Sequence, residues 1–421
     1  MEVVTNSGIW GAKATASHRF LLSPDVYVIT EGERKELEAL GMAIYDCMLG
    51  LSQIAVIAYD GTMNYGGRWA FCRKVFSTGV PRTYRELQGM RVRDIPRLLK
   101  VDLMVGLDGK FKIAEIDGHN KHGLGYSTLG LRFREAIHGG EESLPGVVRL
   151  LADEVRRLGF EELTLLYADQ ERFYVPEFEV AKAELEKHGI HSTVVGEMEA
   201  KEVSLSEGLF LDLPFLYKRP DLYTTIVSAY KAGRAQFIIP PKPFLGAKGA
   251  LALLRNDRQD PHLEGMLRAF IHGSSLDLVR QYTPETFLVG TTRFVRWSGR
   301  SRDGIRARMA EKKYVLKESI SSGMKGIFFS DEDGFEEVLS RASATKANWI
   351  LQEEVVNRPQ RFSWFENGAG REAELQTADD WLMRVTVHYV NRKLADGIVT
   401  ARRNRAVHGA TDCLQLGVIV R

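Results

Sequence analysis

The 421-residue chain is poor in cysteine, with only Cys47, Cys72 and Cys413. The three form no CxxC pair and have no histidines at zinc-like spacing, which argues against a disulfide framework and against a metal-thiolate site. We interpret them as small, buried apolar side chains in a protein of a reducing compartment.

The chain also lacks an excess of charge of either sign, since Lys+Arg number 57 and Asp+Glu number 55, for a net charge of +2. Such a balance provides no bulk basic field of the kind that attracts nucleic acids. No apolar run reaches the roughly 20 residues that span a bilayer, and the N-terminal segment lacks the layout of a signal peptide. We therefore expect a cytoplasmic protein that binds neither nucleic acid nor a membrane.

Hydrophobic residues make up 44% of the chain and charged residues 27%, which is typical of a globular protein with several lobes. Apolar residues recur at helical spacing between Glu31 and Ala58, so residues 1–142 form a first region that contains one long core helix. Strands and helices alternate over 143–243, which predicts a parallel α/β lobe. We expect a mostly helical linker and the start of a lid over 244–312, and an α/β segment over 313–421 that contains a polar insertion near 357–380.

An acidic hairpin is the most informative feature of the first region. Strand VDLMV, a turn centred on Asp108 and Gly109, and strand FKIAEI bring Asp102 opposite Glu115, and Asp117 follows on the same face as Glu115. Three carboxylates that converge repel one another unless a hard cation neutralises them, and Mg²⁺ prefers such ligands. The alternative that stays open is a solvated acidic hairpin, although apolar side chains on both of its faces favour partial burial.

A second constellation, YVLKESISSGMKGIFF, combines a strand lysine with a small polar loop. Backbone N–H groups of such a loop can fold over phosphates, and Lys317 can supply a positive charge to them. The candidate phosphate contacts in the loop are Ser319, Ser321, Ser322 and Gly323. The spacing matches neither a Walker-type loop nor a dinucleotide fingerprint, and a plain hairpin with a Ser/Gly turn is an equal alternative.

Two further features complete the pattern. In WILQEEVVN an apolar strand turns polar, and Gln352, Glu353 and Val355 could present backbone groups to an adenine edge and an acid to a ribose, or could simply end a strand. Arg384 lies inside the apolar strand LMRVTV, where an unpaired guanidinium is costly, so it should meet an anion. That anion is either a structural carboxylate or a phosphate.

Taken in order, these segments resemble an ATP-grasp enzyme in circularly permuted form, over roughly residues 98–129 and 236–421. The stretch DLMVGLDGKFKIAEIDGHN resembles the magnesium hairpin of D-alanine:D-alanine ligases, and the order of the parts resembles eukaryotic glutathione synthetase and glutathionylspermidine synthase. The resemblance implies a permuted ATP-grasp fold with a parallel α/β substrate lobe, and Lys248 as a further nucleotide-binding lysine. Asp117 stands where the family usually has Asn, and Ser321 where the permuted ligases have Glu.

The resemblance also implies ATP and Mg²⁺ as cofactors and an amide-forming ligase that joins a carboxylate to an amine through an acyl phosphate. In this hypothesis Arg384 and Lys317 are catalytic, and Arg403 is a second arginine near the anion. The candidate substrate contacts are His119, Asn120 and Tyr126. A small-molecule kinase on the same scaffold and a non-catalytic nucleotide-binding protein stay open, as does a homodimer.

Overall fold

A computed structural model describes residues 19–21, 23–60, 67–119, 123–139, 144–257, 259–291, 299–300, 302–321, 326–366, 374–409 and 411–421. Over these residues the fold is mixed α/β, and the strands form three separate sheets. The predicted α/β class is therefore confirmed, whereas the predicted domain boundaries stay predictions.

The elements are numbered in chain order. The helices are α1 (Glu31–Tyr59), α2 (Arg68–Ser77), α3 (Leu124–His138), α4 (Val147–Arg157), α5 (Val175–Lys187), α6 (Pro220–Ala232), α7 (Lys248–Arg255), α8 (Pro261–Phe270), α9 (Gly273–Tyr282), α10 (Arg302–Met309) and α11 (Phe335–Ser343). The strands are β1 (Arg19–Leu21), β2 (Tyr27–Ile29), β3 (Leu98–Val105), β4 (Phe111–Asp117), β5 (Glu162–Tyr167), β6 (His191–Gly196), β7 (Gly208–Phe210), β8 (Ala235–Phe237), β9 (Thr286–Gly290), β10 (Gly299–Arg300), β11 (Tyr314–Glu318), β12 (Ile327–Phe329), β13 (Lys346–Glu353), β14 (Gln360–Glu366), β15 (Glu374–Val390), β16 (Lys393–Arg402) and β17 (Thr411–Val420).

Helix α1 is the long core helix that the apolar spacing predicts. It begins with a capping box, in which Thr30 Oγ1 accepts from Glu33 N while the Glu33 carboxylate accepts from Thr30 N. Its most apolar 18-residue window has a mean hydropathy of 1.6, so by length and composition the helix could cross a membrane. Because 67% of that window is buried inside the fold, the helix has the character of a core element instead.

The largest sheet has eight strands, in the order β1-β17-β16-β15-β3-β4, with β14 beside β15 and β2 beside β17. Because successive side chains of β15 point to opposite faces of the sheet, Val385 and Val387 lie in the core together with α1, whereas Arg384 projects from the other face. The polar face of this sheet carries most of the candidate site. On the core face, α1 packs so closely against β15 that position 41 has to be glycine. A Cβ on Gly41 would lie 2.2 Å from the Tyr389 ring.

In the acidic hairpin β3–β4, Asp102 pairs with Glu115 as predicted, but the turn and the register that produce this pairing differ from the prediction. The turn is one residue earlier than expected: Gly109 N donates to Gly106 O at 2.9 Å, and Gly109 has the positive φ of a three-residue hairpin loop. The pairing is restored by a β-bulge, which inserts Ala114 between the Leu103–Ile113 and Asp102–Glu115 pairs.

The bulge also explains which apolar side chains of the hairpin are buried in the core. Ile113 and Ile116 are an odd number of residues apart and would face opposite ways in a regular strand. With the extra residue between them, both are buried in the same core, at 0% and 9% exposure. One face of the hairpin is therefore buried in the core, and the other carries Met104 together with Asp102 and Glu115 toward the candidate site.

The two smaller sheets flank the large one. Strands β5 to β8 form a fully parallel sheet in the order β6-β5-β7-β8, in the segment where a parallel lobe is predicted. Strands β9 to β13 form the other, in the order β10-β9-β13-β11-β12. The region 244–312 is mostly helical as predicted, with α7, α8, α9 and α10, and it also contains β9 and β10. The expected polar insertion contains β14 and the start of β15. A short apolar run such as TFLVG does not distinguish strand from helix by periodicity.

Candidate active site

A cavity of about 220 Å³ lies between the polar face of the large sheet and the five-stranded sheet, and we call it the cleft. Its polar lining is Asp102, Glu115, Lys248, Lys317, Gln352, Glu353, Glu354, Asn357, Arg384 and Arg405. Its other lining residues include Met104, Ala114, Val315, Ile327, Phe329, Val355, Val356, Leu382 and Val407. The acids of the early hairpin and the lysines of the late segments thus face one space.

The three hairpin acids do not converge, contrary to the expectation for a three-carboxylate metal site. Within the described ranges, no three His, Cys, Asp or Glu side chains are grouped closely enough to hold a metal ion. Each acid contacts its own cation instead: Asp102 lies 3.2 Å from an Arg384 nitrogen, Glu115 2.9 Å from Lys248 Nζ, and Asp117 3.3 Å from Lys100 Nζ. Asp102 and Glu115 line the cleft, whereas Asp117 does not.

Asp102 is held ionised by its surroundings. Burial opposes ionisation, but Arg384, Lys100 and the Thr386 hydroxyl, which donates to Asp102 Oδ1 at 2.6 Å, outweigh it and lower the pKa of Asp102. An ionised carboxylate is the form that a hard cation requires as a ligand.

Lys317 is the cation at the centre of the cleft. Its Nζ donates to the carbonyl of Ala114, the bulge residue, at 3.2 Å and to Gln352 Oε1 at 2.6 Å. Burial lowers the pKa of Lys317 to about 8, with nearby Lys248 acting in the same direction and Glu115 opposing both. The lysine therefore titrates close to neutral pH.

The Gln352 side chain is occupied by hydrogen bonds within the protein, whereas a nucleotide contact was expected for this residue. Its side chain is buried and fully engaged: Oε1 accepts from Lys317, while Nε2 donates to Ile113 O at 3.3 Å and to Thr286 Oγ1 at 3.2 Å. Gln352 thus fixes the position of Lys317 against the hairpin.

The small polar loop that follows Lys317 is hydrogen-bonded at its start to Lys248, the first residue of α7. Ser319 is buried, and its carbonyl and hydroxyl accept from the N–H groups of Lys248 at 2.9 Å and Gly249 at 3.1 Å. Ser321 accepts from Lys248 Nζ through its carbonyl at 3.4 Å. Ser322 and Gly323 lie outside the described residues, so their predicted phosphate contacts stay predictions.

The segment predicted to contact an adenine edge and a ribose lies at the end of β13 and directly after it, and it forms one edge of the cleft. Glu353 forms an ion pair with Lys312 at 2.9 Å. In the described part of the chain, the N–H groups of Val355 and Val356 have no hydrogen-bond acceptor. They are available to a ligand. Asn357, which the pattern did not single out, donates to Met383 O at 2.7 Å, while its buried Oδ1 has no donor in the same described part.

Arg384 meets a carboxylate, and its buried Nε has no acceptor among the described residues. The second predicted arginine, Arg403, is displaced from the cleft into an exposed ion pair with Asp380 at 2.8 Å. Arg405, two residues later, lines the cleft, lies 4.2 Å from the Phe329 ring centre and contacts Asp331 at 2.6 Å. The chain leaves the regular strand at Arg402, so alternation could not show which arginine turns inward.

Two of the candidate substrate contacts, His119 and Tyr126, lie outside the cleft. His119 donates its backbone N–H to Asp117 at 3.1 Å, and its ring packs 5.3 Å from the ring of Phe215 in the parallel lobe. Tyr126 lies on α3, where burial, with a smaller effect of Glu177, raises its pKa. Asn120 is outside the described residues.

The residues of the cleft fit a nucleotide triphosphate with magnesium. Lysine and arginine donors suit phosphate oxygens, and the buried Arg384 Nε is a donor that still requires an acceptor. Two carboxylates, with phosphates completing the shell, are an ordinary donor set for Mg²⁺. Apolar side chains such as Val315 and Phe329 offer walls for a base.

Comparison with known proteins adds little to this geometry. No family model matches the chain, and no curated protein does. Among solved structures, the chain is similar to the protein named "putative gamma-glutamylcysteine synthetase" from Methylobacillus flagellatus KT, with 11% sequence identity and a TM-score of 0.36 over 85% of this chain and 88% of that one. At such a TM-score the similarity carries no argument, so the functional conclusion rests on the cleft.

Proposed function

We propose that the protein is an ATP- and magnesium-dependent ligase of the ATP-grasp type, with its parts in permuted order, which joins a carboxylate to an amine. The observation that carries the proposal is the cleft itself, where Asp102 and Glu115 face Lys317, Lys248 and Arg384. These residues come from segments far apart in the chain, in the order that the permuted resemblance requires.

The proposed roles follow from the charges. Asp102 and Glu115 offer ionised oxygens to Mg²⁺, while Lys317, Lys248 and Arg384 donate to phosphate oxygens. When bound, ATP supplies the phosphoryl group that turns a carboxylate into a reactive acyl phosphate, and Mg²⁺ neutralises phosphate charge.

The protein's own part is positioning and neutralisation, without a covalent nucleophile. Gln352 holds Lys317 at a fixed point, and the N–H groups of Val355 and Val356 are available to the edge of a base. Because the cavity of about 220 Å³ is smaller than the roughly 300–1,000 Å³ of typical ligand pockets, a nucleotide has to widen the cleft as it enters. Small-molecule carboxylates and amines as partners, and a cytoplasmic location, belong to the same proposal.

Trapping of the activated carboxylate tests the reaction type. The purified chain is incubated with ATP, Mg²⁺, hydroxylamine and pools of amino acids and short peptides, and hydroxamate and ADP are measured. We expect hydroxamate with at least one pool, and none with Lys317→Met. A stable phosphoester without hydroxamate would instead establish a kinase, and ATP binding without turnover on any pool would establish a non-catalytic nucleotide-binding protein.

A further inference from the structure

The polar face of the large sheet continues beyond the cleft. Register aligns Thr386, Asp102 and Glu115 across β15, β3 and β4, and two residues further along it aligns His388, Lys100 and Asp117. At about 3.3 Å per residue, the second row lies about 7 Å from the first. A second group of polar side chains thus lies about 7 Å from the row that faces the proposed phosphate site.

Glu177 of α5 completes this second group, which we call the distal cluster: Lys100, Asp117, Glu177 and His388. The Glu177 carboxylate accepts from the N–H groups of Gly123 and Gly125 at the start of α3. Gly123 in turn touches the sheet, since a Cβ there would lie 3.0 Å from His388 Nε2 and 3.7 Å from Lys100 Cδ. The parallel lobe and the large sheet therefore meet at this point.

The distal cluster contains buried polar atoms that the protein leaves unsatisfied. Glu177 and His388 are each 1% exposed, and within the described ranges Glu177 Oε2 and both ring nitrogens of His388 have no hydrogen-bond partner. Buried polar atoms without a partner are rare, because each costs about 1–3 kcal/mol. Their presence in one place indicates a site completed by a ligand.

The charges and hydrogen-bonding groups of the distal cluster indicate which kind of ligand it binds. Lys100 is ion-paired with Asp117 at 3.3 Å, so these two charges are matched within the cluster. Burial, with Lys100 as a smaller influence, lowers the pKa of His388 to about 3, so the imidazole is neutral. Burial raises the pKa of Glu177 to about 7, and a protonated amine beside it stabilises its ionised form. The free carboxylate oxygen and the unprotonated imidazole nitrogen are then acceptors for a primary amine, while the protonated imidazole nitrogen is a donor.

We propose that the distal cluster binds the amino group of the amine-bearing substrate, with Glu177 Oε2 and His388 as its hydrogen-bond acceptors. This inference rests on the proposed ligase function, because it places an amine beside the row of Asp102 and Glu115, about 7 Å away along the sheet, where the carboxylate is activated. Glu177 and His388 then act as substrate-binding residues that the sequence pattern did not indicate.

Binding of small probes to the full chain tests the inference. Ethylamine, L-alanine and ethanol are titrated by saturation-transfer NMR with a non-hydrolysable ATP analogue and Mg²⁺ present. We expect the wild-type chain to bind the two amines and not ethanol, which has neither an amine nor a carboxylate. Glu177→Gln keeps an acceptor for the Gly123 N–H but removes the charge, so amine affinity should fall by about tenfold or more. The matched control is Glu179→Gln, an exposed acid on the same helix.

His388→Phe, which keeps the ring but removes both nitrogens, provides a second variant, and thermal melting checks that each variant is folded. Amine binding that is unchanged in both folded variants would overturn the inference, and so would a wild-type chain that binds the nucleotide analogue but neither amine. The proposed function would survive either result. A wild-type chain that fails to bind the nucleotide analogue would instead refute the proposed function.

Discussion

Nucleotide binding should weaken as pH rises, because Lys317 titrates near pH 8 and its positive charge is what phosphate requires. Burial lowers its pKa from the ordinary 10.5, so the positive charge that a phosphate needs is lost as pH rises through about 8. With that pKa, the lysine is about 90% protonated at pH 7 and about 10% protonated at pH 9, which corresponds to a loss of about 1.3 kcal/mol. We therefore expect the affinity for a non-hydrolysable ATP analogue to fall about tenfold over this range.

Three variants assign that pH dependence to Lys317, with analogue binding measured by calorimetry at constant ionic strength. Lys317→Met should bind weakly and lose the pH dependence. Gln352→Glu adds a carboxylate 2.6 Å from the ammonium group, which should raise its pKa and move the loss of affinity to higher pH. Lys110→Met, at an exposed turn position of the hairpin, should behave as the wild type.

Two outcomes would refute this reasoning. The first is a wild-type affinity that is equal at pH 7 and pH 9, since Lys317 would then not contribute charge to phosphate binding. The second is a pH dependence that persists in folded Lys317→Met, since another group would then be responsible.

Three further predictions follow from contacts in the structure. Glu115→Gln should raise the Mg²⁺ concentration needed for ATP turnover several-fold more than Asp117→Asn, since only Glu115 lines the cleft, and a magnesium titration that ranks them in reverse would contradict this assignment. Arg405→Ala should weaken nucleotide binding several-fold while Arg403→Ala leaves it unchanged, as measured by calorimetry; equal effects would disprove the distinction. Gly41→Ala should reduce the free energy of urea unfolding by about 1–3 kcal/mol through overpacking against an aromatic ring, and an unchanged midpoint would refute that contact.

Much of this geometry was accessible from the sequence because it depends on local rules. Helical spacing is enough to predict α1, whereas the predicted pairing of Asp102 with Glu115 is right because the earlier turn and the bulge offset one another. The cost of burying a guanidinium is enough to predict that Arg384 contacts an anion, which is Asp102. The α/β class follows from the alternation of helices and strands.

The remaining features depend on tertiary contacts that no local pattern encodes. Gln352 appears at a strand end like any polar residue, and only the packing of β13 against the hairpin turns it toward Lys317. Glu177 belongs to a helix of the parallel lobe, with nothing in its neighbourhood in sequence to suggest that it reaches α3. Arg405 follows the end of a strand, where alternation no longer predicts direction. The sequence does contain a signal of the bulge: Ile113 and Ile116 are both apolar at an odd spacing, and two such residues share one face only in a bulged strand.

That bulge connects the fold to the candidate chemistry. A regular hairpin with the observed turn would pair Asp102 with Ala114, and Glu115 would project toward the core, where its charge could not be neutralised. The extra residue returns Glu115 to the polar face and keeps Ile116 in the core, so burial of the hairpin favours the arrangement of the acids. The same residue presents its carbonyl to Lys317, which Gln352 holds from the other side. Because a bulge is a fixed feature of the backbone, one acid and one lysine of the cleft are positioned by the same local irregularity, and neither position requires a bound ligand to be established.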